Sequence, residues 1–303
     1  MMNMSKEKRT TDYKLGVTFI VGAAFFFALM NLFIRLAGNV PSMQKCFFRN
    51  LFALMIALAA LLRSKTPFRI GKGNTKYLLG RSIAGGLGMI CNFYAIDRMN
   101  ISDASMLNKL SPFFAIIFSV YILDEKTQRK DWLMVISAFV GALFVVKPSF
   151  HLRVIPALAG VLGGFGAGLA YTFVRKLGKR GEKSMIVVAF FSGFTTLLLL
   201  PNLIFNYQPM TPKQWMYLCL TGLVAAGGQI CITKAYTYAA AKDLSVYDYS
   251  IVIFAAIFGF LFLDQIPDIW SVIGYVIIIT TAVIKSMSGH RQQEEIEAIK
   301  QEE

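Results

Sequence analysis

Residues Gly80 to Glu125 read GRSIAGGLGMICNFYAIDRMNISDASMLNKLSPFFAIIFSVYILDE, and this stretch decides the fold because it occurs twice. A shift of 140 residues places it, without a gap, on Leu220 to Gln265, which read LTGLVAAGGQICITKAYTYAAAKDLSVYDYSIVIFAAIFGFLFLDQ. Twelve of the 46 aligned positions are identical, more than a shared apolar composition would give. The chain therefore consists of two copies of one unit.

The composition indicates a membrane protein. Of the 303 residues, 56% are hydrophobic and only 16% are charged, so there is too little polar surface to cover a soluble globule of this size. A membrane-spanning helix needs about 20 mostly apolar residues. Ten segments qualify, and they predict an all-α integral membrane protein with ten transmembrane helices: 15–35, 43–62, 76–98, 102–123, 131–147, 155–175, 184–205, 213–238, 243–263 and 269–287.

The net charge of +14 is explained by the loops rather than by a nucleic-acid partner. If the first residue is cytoplasmic, the cytoplasmic segments hold 21 Lys and Arg residues and the external loops hold six. Positive residues concentrate on the cytoplasmic side of membrane proteins. The sequence therefore predicts a multi-pass protein of the inner (cytoplasmic) membrane with both termini in the cytoplasm.

The repeat predicts the topology as well. Each unit holds five spans, and five is odd, so the second unit crosses the membrane in the opposite sense to the first. The predicted organisation is a cytoplasmic segment 1–14, a first five-helix repeat 15–147, an inverted second repeat 148–287 and a charged cytoplasmic tail 288–303. Inverted repeats of this kind are typical of secondary transporters, which place their substrate site at the repeat interface.

A known family shows the same pattern. Each half has a glycine-rich third span, a D-A-S or D-L-S turn at Asp103 or Asp243, and an apolar fourth span that closes on LDE at Glu125 or LDQ at Gln265. The chain resembles the drug/metabolite transporter superfamily, in particular its EamA-type branch, over about residues 15 to 287. The resemblance implies a ten-helix transporter of metabolites or drugs. Gln265 departs from the glutamate that usually closes this segment.

Glycine runs at Gly85 to Gly88 and at Gly163 to Gly168 are not phosphate-binding loops. They lack a following Lys-Ser or Lys-Thr and lie within predicted spans. Small residues inside spans allow helix backbones to approach closely. The two runs therefore predict close helix packing.

Ionisable residues inside spans need a reason, because each costs at least about 2.5 kcal/mol in lipid. Spans eight and nine turn near Ala241, with Lys234 seven residues before it and Asp248 seven after it. Equal depth on adjacent helices predicts an ion pair between Lys234 and Asp248. The pair is either a structural salt bridge or a gate in which substrate displaces the ammonium and the carboxylate takes up a proton. Both interpretations stay open.

Lys109 lies inside span four, about 10 Å below the outer surface at a rise of 1.5 Å per residue. Three explanations remain open: its side chain snorkels to the surface, pairs with Asp97, or contacts an anionic group of the substrate. Pro112 is predicted to kink the same helix and to free a carbonyl into the cavity. Arg49 and Arg81, each about six residues into a span, are interpreted mainly as caps of helix ends or partners of neighbouring carbonyls, with ligand binding as the alternative. Together with Lys109 and Lys234 against Asp248 they give a cationic interior, which favours a carboxylate or phosphate if these groups line the cavity.

These observations predict a secondary active transporter of a small metabolite that works by alternating access, with an amino acid or another carboxylate or anionic solute favoured and proton coupling open. The alternatives are an exporter of cationic or amphipathic drugs and a polytopic membrane enzyme that acts on lipid-linked substrates. The predicted partners are a small-molecule substrate and the lipid bilayer, as a monomer or homodimer, with no cofactor, metal or nucleic acid. The candidate substrate-binding residues are Lys109, Asn108, Tyr94, Asn92, Asn31, Tyr171, Gln229, Tyr247 and Tyr249, and the candidate gating or proton-coupling residues are Lys234 and Asp248.

Overall fold

The computed structural model describes the backbone of residues 2–64, 68–123, 129–146, 154–238 and 247–302. Side chains are described within these ranges apart from those of residues 2–12, 131, 184, 229, 233, 236–238, 285–286 and 288–302. The helices are α1 Met2–Leu36, α2 Ser42–Arg63, α3 Thr75–Arg98, α4 Ile101–Asn108, α5 Ser111–Leu123, α6 Arg129–Val146, α7 Val154–Lys179, α8 Ser184–Asn206, α9 Pro212–Tyr238, α10 Ser250–Leu263 and α11 Ile269–Glu302. A short 3-10 helix, Tyr247–Tyr249, precedes α10.

The helices suit a lipid environment, where a helix satisfies its own backbone hydrogen bonds. Within the described ranges, six helical segments are long and apolar enough to cross a membrane: Tyr13–Leu36, Ser42–Arg63, Ile101–Leu123, Val154–Lys179, Met185–Asn206 and Pro212–Ile232. Three shorter apolar segments are Trp132–Val146, Tyr247–Leu263 and Ile269–Ile284. With α3, which carries the glycine run, these segments correspond to the ten predicted spans.

The packing follows the internal repeat. The shift of 140 residues relates α1 to α7, α2 to α8, α3 to α9, α5 to α10 and α6 to α11. Helix α3 packs against α7, and its counterpart α9 packs against α1; α5 packs against α7, and its counterpart α10 packs against α1. The related pairs α2 with α8 and α6 with α11 pack against each other. The prediction of an all-helical membrane protein with ten spans in two inverted five-helix repeats is confirmed.

The crossing of α3 and α7 depends on glycine. A Cβ placed on Gly166 would lie 2.7 Å from both the Cα of Gly88 and the carbonyl oxygen of Ala84. Backbone atoms of the two helices therefore touch, as the glycine runs predict. In the related crossing of α9 with α1, the glycine faces a side chain instead of backbone: a Cβ on Gly228 would lie 2.8 Å from the ring of Phe27. The two crossings occupy equivalent places with unequal side chains.

The fourth span is broken between α4 and α5, at Lys109 and Leu110. Pro112 lies in the first turn of α5, where its missing N–H costs no helical hydrogen bond. The helix is therefore interrupted before the proline, whereas a kink was predicted at Pro112 itself. A Cβ on Gly164 of α7 would lie 2.7 Å from the carbonyl oxygen of Leu107, so this glycine brings α7 against the end of α4.

A buried ion pair joins α2 to α3 near the ends of the first span and the third. Lys45 is fully buried, and its Nζ lies 2.5 Å from Oδ1 of Asp97. The same ammonium donates to the carbonyl oxygens of Ile34 and Gly38 at 2.8 and 2.9 Å, while the hydroxyl of Ser42 donates to Asp97 Oδ2 at 2.9 Å. The predicted alternative in which Asp97 pairs with Lys109 is therefore wrong.

Substituting the glycine at the α3 and α7 crossing tests the close packing. Gly166→Ala should destabilise the protein by about 1–3 kcal/mol, because its methyl group overlaps backbone atoms that cannot rotate away. Gly178→Ala on the same helix is the matched control, because a Cβ there meets no atom within 4 Å. The measurement is the thermal melting temperature of purified protein in detergent. Equal melting of the two variants would contradict the tight crossing.

Removing one member of the buried pair tests its contribution. Lys45→Gln should cost about 3–5 kcal/mol, because it leaves the carboxylate of Asp97 buried without its cation. The double variant Lys45→Gln/Asp97→Asn should lose less stability than the sum of the two single variants, because it removes both charges. Additive losses in denaturation experiments would show that the two groups are not coupled.

Candidate functional site

A cavity of about 220 Å³ lies between the two repeats, beside the broken fourth span. Its walls come from α1, α2, α3, the α4–α5 break, α7, α8, α9 and the start of α10. Glycines Gly85, Gly88 and Gly163 form part of the wall and leave the centre open. A cavity at the interface of inverted repeats, next to a discontinuous helix, is the place where secondary transporters hold their substrate.

An ion pair in the wall of this cavity links one repeat to the other. Nζ of Lys109 donates to Oδ2 of Asp248, and both side chains line the cavity. The hydroxyl of Tyr249 donates to the carbonyl oxygen of Lys109 at 3.1 Å, so a carbonyl freed by the helix break is bonded by the other repeat. By the shift of 140 residues, Tyr249 is the copy of Lys109, and Asp248 is the copy of Asn108. Equivalent positions of the two repeats therefore meet here.

The predicted ion pair between Lys234 and Asp248 does not form. Lys234 is exposed, and its Nζ lies 5.2 Å from the centre of the Phe19 ring on α1. Counting residues from a turn gives the depth of a side chain but not the face of the helix from which it projects. Lys234 projects toward α1, while Asp248 has Lys109 as its partner.

Three asparagines add neutral polar groups to the cavity wall: Asn31, Asn92 and Asn108. Nδ2 of Asn31 donates to the hydroxyl of Ser105 at 3.1 Å. In the described part of the chain, the side-chain oxygens of Asn31 and Asn92 are buried without a hydrogen-bond partner. Buried polar atoms are normally satisfied, so these acceptors are available to a bound solute or to water.

The tyrosines divide between the cavity and its surroundings. Tyr171 lines the cavity wall. Tyr94 lies away from it, with its ring 3.9 Å from the guanidinium carbon of Arg98, and Tyr247 makes a 3.3 Å hydrogen bond with the hydroxyl of Tyr13. Tyr249 is buried behind the ion pair. The side chain of Gln229 lies outside the described part of the structure.

Two arginines that sequence analysis interpreted as helix caps line the cavity instead. Arg49 is 8% exposed, and its described hydrogen bond is a 3.3 Å contact with Oδ1 of Asn50. The guanidinium carbon of Arg81 lies 3.5 Å from the centre of the Phe191 ring. Arg49 Nε and Arg81 Nε and Nη1 are buried without partners among the described residues. The sequence contains one signal that singles out these two arginines: the residues at the equivalent positions of the second repeat, Ala189 and Thr221, are uncharged.

The arrangement gives the cavity an excess of positive charge. Among the described residues of its wall, the charged groups are Arg49, Arg81, Lys109 and Asp248. Lys109 and Asp248 neutralise each other, so the two guanidinium groups are left without a counter-charge. Such a cavity is chemically suited to holding a small anion with an apolar or aromatic body against Phe27, Tyr171 and Phe191.

Comparison with known proteins agrees with the fold. A model of the EamA-like transporter family matches residues 14–147 and again residues 154–287. The pseudopaline exporters CntI of Pseudomonas aeruginosa strains UCBPP-PA14 and PAO1 are 31% and 32% identical over 276 residues, which cover 90% of this chain and 96% of each exporter. Human solute carrier family 35 member G1 is 26% identical over 286 residues, which cover 89% of this chain and 78% of the carrier.

A solved crystal structure, 15% identical in sequence, superposes with a TM-score of 0.62 over 92% of this chain and 98% of its own length, which shows the same fold. The family match extends over both repeats and includes every helix that lines the cavity. The chain therefore belongs to the EamA-like transporter family, within the drug/metabolite transporter superfamily, and is a multi-pass membrane transporter.

Proposed function

We propose that this transporter exports a small metabolite that carries a carboxylate or another anionic group, by alternating access between its two repeats. The observation that supports this proposal is the cavity between the repeats, whose wall holds three cationic side chains and one carboxylate among the described residues. A bound anionic solute would supply the counter-charge that the cations of the cavity wall lack. A cationic drug would meet repulsion there.

The relatives support the direction of transport. The pseudopaline exporters are the relatives named above with identities over 30%, and they align with this chain over nearly their whole length. Their name states export, and we extend that direction to this chain. The excess of Lys and Arg in alternate loops supports a cytoplasmic location for both termini and insertion in the inner membrane.

The pair formed by Lys109 and Asp248 is the proposed gate and proton-coupling element. It links the end of α4 to the start of α10, so it joins one repeat directly to the other. An anionic substrate that approaches Lys109 competes with Asp248 for the ammonium. Released from its partner, the carboxylate of Asp248 takes up a proton, and the link between the repeats opens.

Transport in proteoliposomes tests the proposed function. Purified protein is reconstituted, and counterflow is measured with a panel of radiolabelled amino acids, organic acids and nucleosides. At least one anionic solute should exchange faster than in protein-free vesicles, while cationic drugs should not compete with it. Exchange that is inhibited by cationic drugs alone, or no exchange of any solute, would contradict the proposal.

Charge removal at the pair tests its role. Asp248→Asn and Lys109→Gln should each lower the rate of counterflow by at least about tenfold, because each removes the switch between the repeats. Lys234→Gln is the matched control, since its ammonium lies over Phe19 and outside the cavity wall. The control should keep its rate within about twofold. Membrane yield and gel filtration report folding, and normal transport by Asp248→Asn would remove the pair from the mechanism.

The response to a pH gradient tests proton coupling separately from binding. An imposed gradient should accelerate net transport by wild-type vesicles and have no effect on the residual transport by Asp248→Asn, because asparagine cannot take up a proton. Solute flux is measured with and without a protonophore. Equal acceleration of the wild type and the variant would show that Asp248 is not the coupling group.

A further inference from the structure

We infer that Arg49 and Arg81 form a dedicated anion subsite, and that the transported solute presents to it a doubly charged end, made of two carboxylates or of one phosphate. This inference rests on the proposed function and names the substrate class of the same cavity. It assigns a binding role to two residues whose sequence context suggested helix capping.

The first support is that two cations have buried guanidinium nitrogens and no acidic partner among the described residues. The described part of the chain contains two ion pairs, Lys45 with Asp97 and Lys109 with Asp248, and neither includes an arginine of the cavity. Arg49 is 8% exposed, and its Nε has no partner; Nε and Nη1 of Arg81 have none either. Buried charges are normally paired because their desolvation is otherwise uncompensated. The missing counter-charge is the group that a substrate supplies.

The second support is the absence of the structural bonds that would explain a buried arginine. Among the described residues, neither guanidinium donates to a backbone carbonyl, so neither caps a helix. The described hydrogen bond of Arg49 reaches a neutral amide oxygen, that of Asn50, at 3.3 Å. By contrast, Lys45 is fully bonded, to two carbonyl oxygens and one carboxylate. The fold thus satisfies one buried cation completely and leaves two others open.

The third support is the placement of the guanidinium groups. Phe191 covers one face of the Arg81 guanidinium at 3.5 Å, so the planar edge with its N–H groups is left for bonding. Gly85 leaves room for this group, since a Cβ there would lie 2.9 Å from Nη1 of Arg81. Arg49 and Arg81 come from adjacent helices, α2 and α3, and line the same cavity. Both positive charges therefore act on the same cavity.

A dianion matches this end better than a monoanion. Each guanidinium binds a carboxylate or phosphate through two parallel N–H···O bonds, and the strength of such bonds increases with charge. While Lys109 is paired with Asp248, the two arginines carry the positive charge of the cavity wall that remains to be balanced. Two positive groups in the wall of one small cavity therefore select a solute that presents two negative charges to them.

Thermal melting of the purified full-length transporter in detergent tests the subsite. The probes are succinate, inorganic phosphate, the monocarboxylate butyrate and the neutral diamide succinamide, at equal ionic strength and at a pH where succinate and phosphate are dianions. The wild type should be stabilised by at least one dianion at a concentration about tenfold or more below that of butyrate. Stabilisation by succinate or by phosphate decides which dianion the subsite prefers.

Glutamine variants separate a binding role from a structural one. Arg49→Gln, Arg81→Gln and the double variant should lose the preference for the dianion. Without any probe, the double variant should melt at or above the wild-type temperature, because it removes two unpaired buried charges. Arg98→Gln is the matched control, because that guanidinium is exposed against Tyr94 and outside the cavity wall, and it should keep the preference.

Three results would overturn the subsite. The wild type shows no preference for either dianion over butyrate and succinamide; the double variant retains the preference; or the double variant without probes melts far below the wild type, which would show a structural role. Transport by wild-type proteoliposomes is an independent measurement. If transport is present and the dianion preference is absent, the subsite fails while the proposed function stands; if transport is absent, the proposed function itself fails.

Discussion

The low polarity of the membrane interior is the constraint on which the rest of this structure depends. Every charge placed among the spans requires a partner, and the fold supplies partners selectively. Lys45 receives a carboxylate and two carbonyl oxygens, and Lys109 receives a carboxylate from the other repeat. Arg49 and Arg81 receive almost nothing. The same rule thus pairs the helices at two places and leaves two cations without a counter-charge at a third.

The internal repeat determines where the two halves meet, and the sequence differences between the two copies provide the charged groups at that point. Glycine contacts and helix pairings recur at related positions, and they bring the break of span four against the start of α10. At that meeting point Lys109 contacts Asp248, the copy of its neighbour Asn108, and Tyr249, its own copy. A perfect repeat would place an asparagine against Lys109 and form no ion pair. The divergence of the copies gives the interface a lysine on one side and a carboxylate on the other.

The sequence predicted the number of spans, their inversion and the close helix crossing, because these depend on hydropathy, parity and glycine, which a one-dimensional pattern contains. It predicted less of the site. The partner predicted for Asp248 was wrong, because counting residues from a turn does not give the rotation of a helix about its axis, which depends on packing with distant segments. Tyr94 was misplaced for the same reason. Arg49 and Arg81 were not among the candidate substrate-binding residues, because their lack of partners becomes visible only when all neighbouring helices are in place.

The unequal helix crossings have a consequence for the affinity of the transporter for its solute on the two sides of the membrane. Phe27 on α1 and Ala167 on α7, its counterpart in the repeat, both line the cavity, so one repeat contributes a bulky ring where the other contributes a methyl group. In the proposed alternating access, the solute would therefore leave a chamber of one shape and meet a chamber of another. Half-saturating concentrations measured from opposite faces of the bilayer need not agree, although the gradients alone set the direction of net flow.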